Sequence, residues 1–161
     1  AYQNKALVDI HHWQRGKLSW SQFLFSDGDG PLMPLPPLHK WSLQLGYLVF
    51  GINNSSPYII SGLWLSLGAL GVFLIVLQLT SDNKLAFASG LLLMGIPAAL
   101  EFGFKGTRND WPATSLCVLG FYFVISSGFW KSRWQSLSAG VCWGAALLVK
   151  GSTSGLLGSP A

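Results

Sequence analysis

Charge is what this chain has least of, and the shortage is uneven. Residues 41 to 81 contain no Asp, Glu, Lys or Arg, and neither do residues 85 to 100, 111 to 130 or 134 to 149. Only 10% of the 161 residues are charged and 50% are hydrophobic, where soluble domains carry about 25% charge. An ordinary soluble domain is thereby excluded. An ionised side chain is costly in hydrocarbon, so charge-free runs of about 17–25 residues read as membrane spans. Cysteine is also scarce. Cys117 and Cys142 both fall inside apolar runs, which argues for packing residues and against a disulfide framework or a metal pair. The net charge of +4 is scattered, so no nucleic-acid footprint is present. The chain opens on Ala1-Tyr2 without a charged-then-apolar leader. We expect it to be a piece of a longer protein, incomplete at both ends.

What is present is organised around those runs. Residues from about Tyr2 to Arg15 have helical spacing, with Tyr2, Ala6, Ile10 and Trp13 on one side and Asn4, Lys5, Asp9 and His12 assigned elsewhere on the wheel. A surface-lying amphipathic helix fits. Ser26-Asp27-Gly28-Asp29-Gly30-Pro31 is a turn cluster, and Pro34, Pro36 and Pro37 keep the backbone extended until a helix begins near Leu38. Trp41 to Phe50 is too short to span and reads as interfacial. Four spans are then expected: Tyr58–Thr80, Leu85–Leu100 interrupted by Pro97, Trp111–Trp130, and Trp134–Val149. Tight turns at Ser81–Lys84 and Lys131–Arg133 and a polar loop from Glu101 to Asp110 join them. Trp111, Trp130 and Trp134 stand at span edges, where indole rings favour the headgroup zone. The expected fold is an all-α, polytopic helical membrane bundle, one partial transmembrane domain over 1–161. In it, 1–53 form an extracytoplasmic loop with interfacial helices, 54–150 the four spans, and 151–161 the start of a next loop.

Parity of crossing places the Asp27 loop, the Glu101–Asp110 loop and Lys150 on one face and the two tight turns on the other. The first face is rich in polar groups, and sites concentrate on elaborated loops carried by a rigid scaffold. Asp27 and Asp29 are candidate ligands for a divalent cation, with an ordinary Asp-Gly turn as the alternative. Adjacent His11 and His12 point to different sides of a helix and make a poor metal pair. His39 and Glu101 read as polar residues at the headgroup level. Gly140 and Gly144, extended by Ser136, form a stripe of small residues suited to close helix packing.

Three motifs carry a resemblance. Pro36-Pro37-Leu38-His39-Lys40-Trp41 is followed by Phe50-Gly51 and then a span. Arg108-Asn109-Asp110-Trp111-Pro112 follows. Gly140-Val141-Cys142-Trp143-Gly144 runs on to Leu147-Leu148-Val149-Lys150-Gly151. In this order and spacing the chain resembles GT-C glycosyltransferases, the dolichyl-phosphate-mannose protein mannosyltransferase-like enzymes and the lipid A aminoarabinose transferases. One departure is Pro34-Leu35-Pro36-Pro37 where the aminoarabinose enzymes have Glu-Lys-Pro-Pro, which removes a carboxylate and a cation.

The resemblance implies transfer of a sugar from a polyprenyl-phosphate carrier to a protein, lipid or glycan acceptor. It implies a site on the extracytoplasmic side of the plasma membrane, and an acidic motif that would lie just before Ala1, so that the piece alone is expected to be inactive. Such a reaction needs a carboxylate to accept the acceptor's proton and cations to stabilise charge on the departing phosphate. Lys105 and Arg108 suit the second role. Asp110 would orient Arg108 or contact the sugar or a metal, Lys150 would reach the same phosphate, and His39 sits near the expected cleft. The alternative for the cations is snorkelling to headgroups. The positive-inside rule opposes the implied orientation, because the polar face carries Lys5, Arg15, Lys17, Lys40, Lys105, Arg108 and Lys150 against Lys84, Lys131 and Arg133. Cations recruited for phosphate would bias that count. A transporter fragment or a non-catalytic membrane subunit are the other readings. A transporter should carry ionisable or helix-breaking residues at mid-span, and the third and fourth runs have none.

Overall fold

The computed structural model describes residues 2–19, 37–101 and 110–149. All regular structure among them is helical: α1 Tyr2–Gln14, α2 Pro37–Phe50, α3 Ser56–Thr80, α4 Asn83–Gly95, α5 Pro97–Leu100, α6 Asp110–Ser126 and α7 Arg133–Val149. The chain divides into two units, Ala1–Ile60 and Ser61–Ala161.

In the first unit α1 packs on α2. Ala6, Asp9 and Ile10 of α1 are buried, a set three and four residues apart and so on one face. The helix stops at Gly16, which takes φ +68°. Gly16 N–H bonds to Trp13 O at 2.9 Å and Lys17 N–H to His12 O at 2.9 Å, the paired closure of a left-handed glycine cap. Pro37 opens α2 where a missing N–H costs nothing. The buried stripe of α2 is His39, Lys40, Leu43, Gln44 and Tyr47, while Leu45, Leu48, Val49 and Phe50 are exposed. This helix buries its polar groups and shows its aliphatic ones. That inversion is stable against lipid and costly against water. Gly46 lets Ile60 approach so closely that a Cβ would overlap its side chain.

A short polar knot joins α2 to α3. Gly51 at φ +80° ends α2. Asn53 Nδ2 donates to Phe50 O at 3.0 Å, and Asn53 Oδ1 accepts from the N–H groups of Ser55 and Ser56, both at 2.8 Å. The Ser56 hydroxyl donates to Gly51 O at 2.6 Å. One side chain thus satisfies the last carbonyl of α2 and the N–H groups of Ser55 and of Ser56, the first residue of α3.

In the second unit the helix breaks fall where local chemistry requires. Asp82 caps α4, accepting from Lys84 N–H at 2.8 Å and Leu85 N–H at 3.2 Å. Pro97 forces Ile96 into extended backbone (φ −64°, ψ 124°) and separates α4 from α5. α3 is 25 residues without a charge, about 37 Å at ~1.5 Å per residue. It is the one helix among the described residues long and apolar enough to cross a bilayer. α6 is apolar and 17 residues long, at the short end of the spanning range of about 17–25. α4 with 13 residues falls below it.

α6 was expected to run to Trp130; it ends at Ser126. Gly128, Phe129 and Trp130 all take positive φ, +61°, +58° and +75°, a conformation that bulky residues rarely adopt. Ser127 holds the turn, its hydroxyl donating to Val124 O at 2.7 Å and accepting from Trp130 N–H at 2.8 Å. Phe129, Trp130 and Trp134 are left exposed, as a membrane-interface cluster would be.

α3 and α6 meet at small residues. The Ser115 hydroxyl donates to Trp64 O at 2.6 Å, and a Cβ at Gly68 would lie 2.8 Å from that hydroxyl. A Cβ at Gly71 would lie 2.8 Å from Val118 Cγ1. α6 and α7 are locked by Trp143, whose indole covers Gly120 and meets Phe121 (5.5 Å) and Trp130 (6.0 Å) edge to face. This corrects the expected packing stripe. Gly140 and Gly144 are exposed, and a Cβ at either meets nothing within 4 Å among the described residues. The close approach is made at Gly120 instead. Gly120→Leu should therefore lower thermal stability by about 1–3 kcal/mol through overpacking. Gly140→Ala should be neutral or raise it by up to about 1 kcal/mol, since alanine is the better helix former. Thermal unfolding of the purified protein in detergent checks both.

Candidate functional site

Polar groups are buried mainly where α1 meets α2. Lys40 Nζ lies 2.6 Å from Asp9 Oδ2, with the two side chains 7% and 3% exposed. The contact with Lys40 is the only one that oxygen has among the described residues. His39 and Gln44 are buried on the same stripe of α2. Two charges withdrawn from water to this degree remain only when paired, so the ion pair fixes the register of α1 on α2.

This placement corrects two expectations. Asp9 was assigned away from the apolar side of α1, and it lies at the centre of the helix–helix contact. His39 was read as a headgroup-level polar residue; it is 1% exposed and part of the packing of its unit. Neither residue stands open to water.

The first unit also holds a cavity of about 320 Å³. Leu7 of α1, Tyr47 of α2, Ile52, Asn53 and Asn54 of the connecting knot and Tyr58 of α3 line it. Burial pushes the Tyr47 phenol above its ordinary value of 10.0, so it stays a neutral donor. In the second unit an apolar groove between α3 and α4 is lined by Ala69, Leu70, Phe73, Phe87, Leu91 and Met94.

Of the remaining expected site residues, Asp110 is the first residue of α6 and half-buried. A carboxylate there opposes the positive end of the helix dipole, which gives it a structural role beside any chemical one. His39 belongs to the first unit and Asp110 to the second. Asp27, Asp29, Lys105, Arg108 and Lys150 lie outside the described residues. Among the described residues no three His, Cys, Asp or Glu side chains come together. Cys117 and Cys142 are free thiols, each half-buried, in keeping with packing roles.

Sequence reasoning missed the Asp9–Lys40 pair, although a signal was present. At about 100° per residue, Asp9 falls within about 20° of Tyr2 on the wheel, at the border of the apolar sector. A carboxylate in an apolar sector asks for a partner cation. Tyr47 carried no comparable signal, since a tyrosine on a helix face is ordinary.

Comparison with known proteins fits this architecture. The chain is 30% identical over 94 residues to the undecaprenyl phosphate-alpha-4-amino-4-deoxy-L-arabinose arabinosyl transferase of Pseudomonas savastanoi pv. phaseolicola (strain 1448A / Race 6). The match covers 57% of this chain and 18% of that protein, so the chain spans only about a fifth of that relative's length. No solved structure matches. Residues 34–161 match the family described as dolichyl-phosphate-mannose-protein mannosyltransferase, a stretch that starts just before α2 and takes in every helix after it. With so much of its length matched, the chain belongs to the dolichyl-phosphate-mannose-protein mannosyltransferase family.

Proposed function

We propose that this chain is part of a membrane glycosyltransferase of GT-C type that moves a sugar from a polyprenyl-phosphate carrier to a protein, lipid or glycan acceptor. The observation that carries the reading is the family match over residues 34–161, which includes all three motifs of the resemblance. The distribution of charge supports it. α3 holds no Asp, Glu, Lys, Arg or His along its whole length, as expected of a scaffold span and not of a transport pathway. In the second unit Asp82, Lys84, Asp110 and Arg133 stand at or next to helix ends, where a lipid-borne phosphate and a water-borne acceptor can meet.

In this reading Arg108 and Lys105 hold the carrier phosphate and take up the charge that grows on it as the sugar leaves. Asp110 orients Arg108, and Lys150 reaches the same phosphate from the end of α7. Asp27 and Asp29 are the residues that would hold a divalent cation. No proton acceptor is assigned among the residues of this chain. The site faces the extracytoplasmic side of the plasma membrane. Membranes containing the full-length protein should transfer labelled sugar from a polyprenyl-phosphate donor and not from a nucleotide sugar. Transfer from the nucleotide sugar alone, or from neither, discards the reading.

A further inference from the structure

One end of the second unit carries cations and aromatic rings that its own packing leaves exposed. Trp64 and Gly68 of α3 lie against Ser115 of α6, and Gly71 lies against Val118 and Leu119. Contacts that advance together along both helices mean that α3 and α6 run in the same direction. Their last residues, Thr80 and Ser126, therefore come to the same end, and so do the turns that follow them. Lys84, Lys131 and Arg133 are exposed there, and none forms an ion pair among the described residues. The carboxylate at this end, Asp82, is engaged by the N–H groups of Lys84 and Leu85. In the α6–α7 turn Phe129, Trp130 and Trp134 are 72%, 54% and 80% exposed.

The turn is held in this form. Phe129 and Trp130 both take positive φ, a conformation that is strained for bulky side chains and tends to persist where function uses it. Phe129 is too exposed for burial to account for it. The Ser127 hydroxyl fixes the turn through Val124 O and Trp130 N–H, and Trp143 supports the Trp130 ring edge to face. The Lys131 stem lies over Gly128, where a Cβ would be 3.6 Å from Lys131 Cδ. Indole and ammonium groups are thus displayed side by side on a braced platform.

The level of the patch names its occupant. It lies where α3, 25 residues long and apolar, reaches its end, and so where hydrocarbon gives way to headgroups. Indole rings favour that zone, and guanidinium and ammonium groups bind phosphate oxygens. Every phospholipid has a phosphate. A zwitterionic one also brings a cation of its own, to an end where three cations already stand against one carboxylate. An acidic headgroup such as phosphatidylglycerol brings none.

We infer that the α6–α7 turn is a docking site for an acidic phospholipid. Lys131 and Arg133 hold its phosphate, Trp130 and Trp134 lie against the upper part of its acyl chains, and Lys84 adds attraction from the neighbouring turn. The inference does not rest on sugar transfer, since Asp110 and this turn stand at opposite ends of α6.

Native mass spectrometry of the full-length protein in detergent, titrated with phosphatidylglycerol or phosphatidylcholine, tests it. Wild type should retain phosphatidylglycerol in preference to phosphatidylcholine, and less so at high ionic strength. Lys131→Gln and Arg133→Gln should each weaken phosphatidylglycerol binding about five-fold, and together about 25-fold, the effect of one surface charge apiece. Phosphatidylcholine binding should not change. Trp134→Ala should weaken both lipids alike. Phosphatidylglycerol should raise the melting temperature of wild type and not of the double variant, whose melting temperature without lipid should equal that of wild type; the single variants serve if the double one fails to fold. No preference in wild type, a preference kept by the charge variants, or displacement of the lipid by inorganic phosphate overturns the site. Wild type that binds a glutamate-rich peptide and shows no lipid preference assigns the patch to a protein partner and overturns it as well.

Discussion

Arg108→Ala in the full-length protein is expected to lower kcat for sugar transfer by about 10²–10³-fold, the usual cost of removing one donor that stabilises developing charge. Expression and melting temperature should stay at wild-type values. The argument is chemical. In the proposed reaction the glycosidic bond to the carrier breaks and a phosphate oxygen gains charge close to the membrane, where little water is available to share it. A guanidinium presents several fixed N–H donors to such oxygens and remains charged at any accessible pH. Arg108→Lys keeps the charge and loses the fork, so it should recover part of the rate. The competing role, in which Arg108 only snorkels to lipid headgroups, makes the opposite forecast: alanine would leave kcat near wild type. Initial rates at saturating donor and acceptor decide between them.

Breaking the Asp9–Lys40 pair should have the largest effect on stability. Lys40→Met leaves the Asp9 carboxylate, 3% exposed, without the ammonium it pairs with, and Asp9→Ala removes the same ion pair from the other side. Each should cost about 3–5 kcal/mol, because a buried charge is costly chiefly when unpaired. The double variant Asp9→Leu with Lys40→Met replaces both charges by apolar groups of similar size and should recover most of the loss. A double-mutant cycle on thermal or denaturant unfolding in detergent measures the coupling. Single variants within about 0.5 kcal/mol of wild type, the range of ordinary surface substitutions, would show that the contact does not hold α1 to α2. The pair also bears on topology. Lys40 is buried against a carboxylate, so it adds no free cation to the face whose positive charge conflicts with the family orientation.

The breaks between helices were legible because each has a local cause. Asp82 caps α4 through its own side chain, Pro97 excludes Ile96 from helix, and Pro37 starts α2 without a wasted donor. Where a boundary was misplaced the cause was also local but overlooked: Ser126-Ser127-Gly128 is a stop signal, and the aromatic residues beyond it drew the expected span four residues too far. Burial was less legible. Gly120 and the Gly140–Gly144 stripe are equally plausible contacts in sequence, and only the indole of Trp143 lying over Gly120 separates them.

Taken by itself, the sequence determined that this protein is helical, that its long runs belong in hydrocarbon, and where most helices begin and end. Those properties follow from solvation cost and from bonds made within a turn or two of chain. Tertiary structure alone decided that Asp9 meets Lys40, that His39 is enclosed, and that Tyr47 borders a cavity. Such outcomes depend on which faces of distant segments meet, and a helical period identifies a face without naming its partner.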